Sequence, residues 1–202
     1  MEVLAAKQFL LKSGATMTYR PFQPPDSRSC AALLSRNITR AFPLEEPKQK
    51  LYEKEMAAYT QANIVTTAYE RNYHVAEVDG QAVGVIGIQR LPYAARRPSV
   101  IPAMEITDLM VERDLQGMNI GRILLSEGIV EKSRQGIQFF HALCPSTASN
   151  FFTNKIGFKE LETGLESVRW GKVNALSFRV NSIDVESHST FLKCVAAAPA
   201  FQ

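Results

Sequence analysis

The sequence predicts an α/β fold, in which a mixed, mostly antiparallel sheet carries helices on both faces. Three observations support this prediction. Short β-rich runs recur between segments of helical periodicity. An Asp-Gly pair joins two of these runs, as in a tight hairpin. An apolar run at 104–111 leads through a charged turn into an apolar helix. At 202 residues and 46% hydrophobic content, one domain with a sizeable core is expected.

The N-terminal residues divide into an extension and the start of the domain. Residues 1–16 lack a signal-peptide cleavage pattern, so they are either a loose helix or an extension upstream of Met17. Residues 17–22 predict a first strand, and Pro21 favours an edge position for it. The predicted organisation is an extension at 1–16, one domain at 17–181 and a C-terminal tail at 182–202.

Two helices should follow the first strand. Asp26 or Ser27 can cap the first helix, whose apolar face is formed by Ala31, Leu34, Ile38 and Phe42. Pro43 should end it. The second helix should begin near Glu46 and run past Tyr59, with core contacts from Leu51, Met56 and Tyr59.

The next segment is a predicted β-hairpin. Residues 73–78 and 81–88 are rich in β-formers, and Asp79-Gly80 between them is typical of a two-residue type I′ turn. The loop at 91–100 contains the pair Arg96-Arg97. This pair is either a basic lip beside an anionic ligand or a solvated turn, and the solvated turn is favoured.

In the C-terminal half, predicted helices and strands continue to alternate. A helix over 119–135 should end at Gly136, and 138–144 should form a strand. Pro145 suits the first turn of a further helix, which should end at Gly157. Residues 158–161 and 173–180 are the last predicted strands.

Composition excludes several classes of function. The net charge of +3, with both signs interspersed, is too weak to indicate nucleic-acid binding. No apolar run is long enough to span a membrane. Cys30, Cys144 and Cys194 have neither metal-ligand nor disulfide spacing, so we expect free thiols, a cytoplasmic protein and no metal.

The stretch from 104 to 125 carries the strongest functional signal. A buried strand ends at Val111, and a turn containing Gly117, Asn119 and Gly121 opens a helix with Ile120 and other apolar residues. Glycine and asparagine tolerate left-handed backbone, so this turn can aim amide groups outward from the positive end of a helix. Such a turn is suited to phosphate, although it is neither a Walker A loop nor a dinucleotide fingerprint.

This stretch resembles motif A of the GNAT acetyltransferase superfamily. The motif runs from Val111 through Gln116 to Asn119 and Gly121, with Asn119 standing where the family has its first glycine. The resemblance implies a GNAT-like acyl-CoA acyltransferase fold, with acetyl-CoA as cosubstrate. It implies that the pantetheine arm pairs with the strand backbone and that turn amides hold the pyrophosphate. The implied binding residues are Leu109, Met110, Val111, Gln116, Gly117, Met118, Asn119, Ile120, Gly121 and Arg122.

A second, weaker resemblance concerns motif B, which ends here in Gly157-Phe158. Thr153 occupies the place of the tyrosine that often serves as the general acid in this family. Because a threonine hydroxyl is a far weaker acid than a phenol, the group that protonates the leaving thiolate stays open.

Two carboxylates on the motif strand are candidate general bases, Glu105 and Asp108. Alternation puts them on opposite faces of a regular strand unless a bulge intervenes, and Glu105 is preferred because many family members carry a catalytic glutamate there. For either carboxylate, a structural hydrogen-bonding role is the alternative. His74, His141 and His188 are more often satisfied histidines than bases.

The expected function is acetyl-CoA-dependent transfer of an acetyl group to a primary amine on a small molecule or protein. Two alternatives stay open: a non-catalytic acyl-CoA sensor or interaction module on the same fold, and acylation of a hydroxyl or use of a longer acyl donor. Neither nucleic acid nor membrane is an expected partner, and a homodimer is compatible with the sequence. The sequence does not name the acceptor.

Overall fold

The computed structural model describes residues 6–40, 46–67, 71–90, 103–167 and 171–180. The strands are β1 (Lys7–Leu10), β2 (Thr16–Pro21), β3 (Arg71–Val78), β4 (Gln81–Arg90), β5 (Ala103–Val111), β6 (Phe139–Pro145), β7 (Lys159–Ser167) and β8 (Gly171–Arg179). The helices are α1 (Ser27–Arg40), α2 (Glu46–Thr67), α3 (Ile120–Arg134) and α4 (Ser146–Asn150), which continues as a π-helix over Phe151–Ile156.

The strands form one eight-stranded sheet in the order β1-β2-β3-β4-β5-β6-β8-β7. Strands β1, β2 and β3 pair antiparallel, as do β6, β8 and β7. Strands β5 and β6 are parallel, in a ladder that covers Ala103–Ile106 of β5. The predicted mixed, mostly antiparallel sheet with helices is therefore confirmed.

The chain divides into two compact units, and the first contains Met1–Gly87 and Asp108–Leu124. Its core brings one face of α1 against the strands, with Leu33, Leu34 and Val85 fully buried. The Asp26 carboxylate joins the start of α1 to β2, because it accepts hydrogen bonds from the Gln23 amide at 2.8 Å and from both terminal nitrogens of Arg20. The predicted apolar positions Ala31, Leu34 and Ile38 are all buried.

The second unit contains Ile88–Thr107 and Leu125–Gln202. An aromatic chain runs through it, from Phe152 to Phe158 with ring centroids 5.3 Å apart, and from Phe158 to Phe178 at 5.2 Å. Phe140, near the start of β6, is fully buried. These rings fix the π-helical segment, which ends where Gly157 takes a φ of 94°.

Turn chemistry is the best-predicted local feature. Asp79 and Gly80 both have positive φ, at 50° and 75°, as the type I′ hairpin requires. Gly136 has a φ of 85° just after α3, which matches the predicted helix end. None of the described helices is long and apolar enough to cross a membrane.

In the N-terminal half, the edge position of β2 and two core contacts of α2 were predicted wrongly. Of the two alternatives left open for residues 1–16, residues 7–10 contradict the loose helix because they form β1, and β2 therefore lies between β1 and β3 instead of at an edge. Pro21 is tolerated there because the β1 ladder ends at Tyr19, so its missing N–H is not needed by β1. On α2, Leu51 and Tyr59 are 60% and 67% exposed, whereas Thr60 and Ile64 are buried. The helix is rotated because tertiary packing, not local pattern, chooses the buried face.

Pro145 closes β6, where it pairs with Val173, and it is also the N-cap of α4, one residue before the helical position predicted for it. Proline fits this strand end because its fixed φ is compatible with extended backbone. The expectations for the Arg96-Arg97 loop, Phe42, Pro43, His188, Cys194 and the tail at 182–202 lie outside the described residues.

Gly84 in β4 lies against α3. A Cβ at this position would be 2.9 Å from Leu124 Cδ1, 3.2 Å from Ile120 Cγ2 and 3.3 Å from Ala76 Cβ. We expect Gly84→Val to lower the free energy of unfolding by about 1–3 kcal/mol, because overpacking forces side chains off their rotamers. Urea denaturation measures this loss. The control is Gln81→Val, at an exposed position of the same strand; equal stability of the two variants would contradict the close packing.

Candidate active site

The turn from β5 into α3 has the left-handed backbone that the sequence predicted. Gly117 has a φ of 84° and Asn119 a φ of 73°. Asparagine is among the residues that best tolerate this conformation, which explains how the loop forms without the family's first glycine. The Gln116 side chain donates a hydrogen bond from Nε2 to the Val111 carbonyl at 3.2 Å and so braces the turn against the strand end.

Helix α3 begins directly after this turn. The Ile123 amide donates to the Asn119 carbonyl at 3.0 Å, which closes the first turn of the helix. The amides of Gly121 and Arg122 precede that bond, so they have no acceptor within the helix. They lie at the positive end of the helix dipole, where an anion is stabilised.

Arg122 adds a full positive charge to this helix start. Its Nε and Nη2 atoms are buried and have no hydrogen-bond partner among the described residues. Burial lowers the pKa of its guanidinium, because the charged form loses hydration. A buried donor without an acceptor is costly, so an anionic group of a ligand would fit this guanidinium.

At the end of β5, the predicted ligand contacts come from the backbone rather than from side chains. Leu109, Met110 and Val111 are half-buried and follow the point where the ladder with β6 ends. Their position agrees with the expectation that strand backbone pairs with an extended ligand arm, although that role stays a prediction.

Glu105 lies in the first half of β5 and is half-buried. Its Oε2 accepts a hydrogen bond from Gln89 Nε2 at 2.8 Å. In the β5–β6 ladder, the residue opposite Glu105 is His141. Sequence reasoning missed Gln89 and set His141 aside, because neither register nor cross-strand neighbours could be read from local patterns.

Asp108 has a different environment. Its side chain is 2% exposed, and Oδ2 accepts hydrogen bonds from Arg71 Nη1 at 2.7 Å and from the Tyr73 hydroxyl at 2.9 Å. Burial, followed by the charge of Asp108, raises the pKa of Tyr73 to about 12. Both Arg71 and Tyr73 were missed at the sequence level, since each lies more than 30 residues away along the chain.

The two candidate carboxylates therefore lie in different environments. Burial alternates along β5 from Met104 to Asp108, with Glu105 on the half-buried side and Asp108 on the buried side. Asp108 itself has a φ of 52°, so the strand is irregular at that residue. This arrangement favours Asp108 as a structural ion pair and leaves Glu105 as the carboxylate that solvent reaches.

The motif B region does not supply an obvious acid. The Thr153 hydroxyl donates to the Ser149 carbonyl at 3.0 Å, one helical turn earlier. Burial raises the pKa of the Cys144 thiol to about 11 and that of Cys30 to about 12, so both are inert core residues. Among the described residues, no cluster of His, Cys, Asp and Glu is arranged to hold a metal ion.

The strand, the left-handed turn and the cationic helix start are the features that the resemblance to acyl-CoA acyltransferases predicted for this stretch. The acetyltransferase (GNAT) domain model matches residues 69–160, which include β3 to β6, the turn, α3 and the motif B segment. These residues of the chain are similar to the GNAT acetyltransferase domain, as the motifs predicted.

Solved structures share the fold at low sequence identity. The GCN5-related N-acetyltransferase from Rhodopseudomonas palustris is 19% identical, with a TM-score of 0.59 over 80% of this chain and 94% of that one. RimL, a ribosomal L7/L12 α-N-protein acetyltransferase solved with coenzyme A, is 16% identical, with a TM-score of 0.59 over 82% and 95%. A chain of the NatC complex with Gag peptide and CoA is 14% identical, with a TM-score of 0.52 over 82% and 99%. No curated protein sequence matches the chain.

The environment of Asp108 predicts a stability defect. We expect Asp108→Asn to lower the free energy of unfolding by about 2–3 kcal/mol, because it removes the counter-ion of Arg71. This is less than a fully buried pair would lose, since the Arg71 side chain is 20% exposed. Chemical denaturation at pH 7 measures the difference. Glu105→Gln is the matched control and should change stability by less than about 1 kcal/mol; an equal loss in both variants would refute the structural assignment.

Proposed function

We propose that the protein is an acetyl-CoA-dependent N-acetyltransferase that moves an acetyl group directly to a primary amine. The observation that carries this proposal is the start of α3, where the left-handed turn and the free helical amides meet Arg122. The buried Nε and Nη2 atoms of Arg122 have no partner in the part of the chain that the structure describes. These groups fit a pyrophosphate, whose negative charge would restore hydrogen bonds to a buried cation. Acetyl-CoA supplies the activated thioester.

Acetyl transfer requires deprotonation of the amine and polarisation of the thioester, and residues of the chain are proposed for both. The acceptor amine must lose a proton, because a free alkyl ammonium has a pKa of about 10.4. Glu105 is the proposed base, since its carboxylate is half-buried and is held by the neutral amide of Gln89 rather than by a cation. The backbone of Leu109, Met110 and Val111 is proposed to align the pantetheine arm, and an amide there can polarise the thioester carbonyl.

The acceptor is proposed to be an amine on a protein or small molecule. RimL acts on a protein, and the NatC structure holds a peptide, so peptide amines are one class to test. An acceptor screen should compare peptide α-amines, lysine side chains and small alkyl amines by release of the free CoA thiol. Release without any amine would indicate hydrolysis, and binding without release would favour the acyl-CoA sensor.

Acetyl-CoA should stabilise the fold. At one hundred times its dissociation constant, ligand binding adds about 2.7 kcal/mol. For a domain of this size, that corresponds to a rise in Tm of roughly 5–10 °C. Differential scanning fluorimetry measures the rise, with adenosine as the control ligand because it lacks the pyrophosphate.

Three variants locate the binding site. Gly121→Glu should abolish the rise in Tm, since a carboxylate would occupy the place of the phosphate, and Arg122→Gln should reduce it. Asn119→Gly should preserve it, because glycine adopts the same left-handed backbone. An undiminished rise in Gly121→Glu would place the ligand elsewhere, and no rise in the wild type would overturn the proposed function.

Glu105→Gln should reduce kcat by about 10²–10⁴-fold, as loss of a general base does, while the acetyl-CoA-dependent rise in Tm is retained. Steady-state assays with the best acceptor measure kcat. A wild-type rate across the pH range would remove Glu105 from the mechanism but would leave acetyl transfer itself intact.

A further inference from the structure

The β5–β6 ladder brings two titratable side chains together. Glu105 and His141 are direct partners in this parallel register. Adjacent strands lie about 4.8 Å apart, and paired residues project from the same face of the sheet. The Glu105 carboxylate and the His141 imidazole therefore project side by side, without a direct hydrogen bond between them among the described contacts. Both residues are half-buried, so solvent can reach this face.

Neighbouring residues on this face do not prevent the Glu105 and His141 side chains from interacting with each other. On β4, Gln89 binds Oε2 of Glu105 and brings no charge. On β8, Ser177 lies opposite His141, and Arg179 places its guanidinium carbon 5.2 Å from the ring centroid of Phe139. On β7, Lys159 pairs with Ser177 and Glu162 with Ala175. Within the described residues, His141 has no hydrogen-bond partner, and Glu105 has Gln89.

Building on the proposed function, we propose that His141 is a relay residue that takes the acceptor's proton from Glu105 and releases it to solvent. The N–H bond of the ammonium breaks as an O–H bond forms on Glu105. That bond breaks in turn as the imidazole gains an N–H, and the imidazolium then gives its proton to water. No electrons are transferred, and the neutral amine is left to attack the thioester.

The chemistry of the two groups explains why a relay helps. A carboxylate is ordinarily half-protonated near pH 4.3, so it holds a proton weakly at neutral pH. An imidazole is ordinarily half-protonated near pH 6.5 and is the better proton acceptor at pH 7. A base is most effective when its proton affinity suits the working pH. The carboxylate beside the amine would therefore extract the proton, and the imidazole would carry it away.

The experiment is a pH profile of kcat/KM for the wild type and His141→Gln with the best acceptor. At pH 7.5 the variant should be about 10–100-fold slower. The ratio of the two rates should fall toward one as the pH is lowered, because an imidazolium accepts no further proton. Ser177→Ala is the matched control, since it changes a neighbour of His141 without removing a titrating group, and it should keep the wild-type profile.

Two further measurements separate a relay from a structural role. Added imidazole should restore activity to His141→Ala in proportion to the concentration of the neutral base. The double variant Glu105→Gln/His141→Gln should be no slower than Glu105→Gln alone, because both residues serve one proton path. If His141→Gln does not fold, as judged by circular dichroism, His141→Asn replaces it in the profile.

The relay would be overturned if His141→Gln kept the wild-type rate and the wild-type fall of kcat/KM at low pH. Additive losses in the double variant would also overturn it. If Glu105→Gln is slow in the same assays, the proposed acetyl transfer still stands. If no amine releases CoA thiol from the wild type, the proposed function and the relay fall together.

Discussion

The passage from β5 to α3 depends on backbone that most residues avoid. Gly117 and Asn119 both have positive φ, and the Asn119 carbonyl receives the first hydrogen bond of the helix. If either residue were forced into right-handed backbone, the helix would begin in another direction. The free amides and Arg122 would then no longer lie at one helix end, so the proposed phosphate site is a consequence of this turn.

Environment assigns different roles to two similar side chains on one strand. Asp108 is buried and is held by Arg71 and Tyr73, which fixes its position. Glu105 is half-buried and has a neutral amide for its partner. A carboxylate that is already paired with a guanidinium is a poor proton acceptor, so the contrast in partners, rather than residue type, supports Glu105 as the base.

The strand register extends the candidate site beyond the family motif. Gln89, Glu105 and His141 come from three strands and lie next to one another because these strands are neighbours in the sheet. None of these relationships follows from spacing along the chain. A family resemblance transfers only residues within its motifs, so neighbours supplied by register have to be read from the structure.

The sequence by itself determined what local chemistry controls. It determined the Asp79-Gly80 hairpin, the Gly136 and Gly157 helix ends, and the turn at Gly117 and Asn119, because each depends on which residues accept positive φ. It also determined the buried face of α1 and, through a motif contained in one stretch, the similarity to the GNAT acetyltransferase domain. The tertiary structure alone decided the edge strand, the rotation of α2 and the partners of Glu105 and Asp108. These depend on contacts between residues far apart in the chain, and no local pattern of side chains encodes which surfaces will meet.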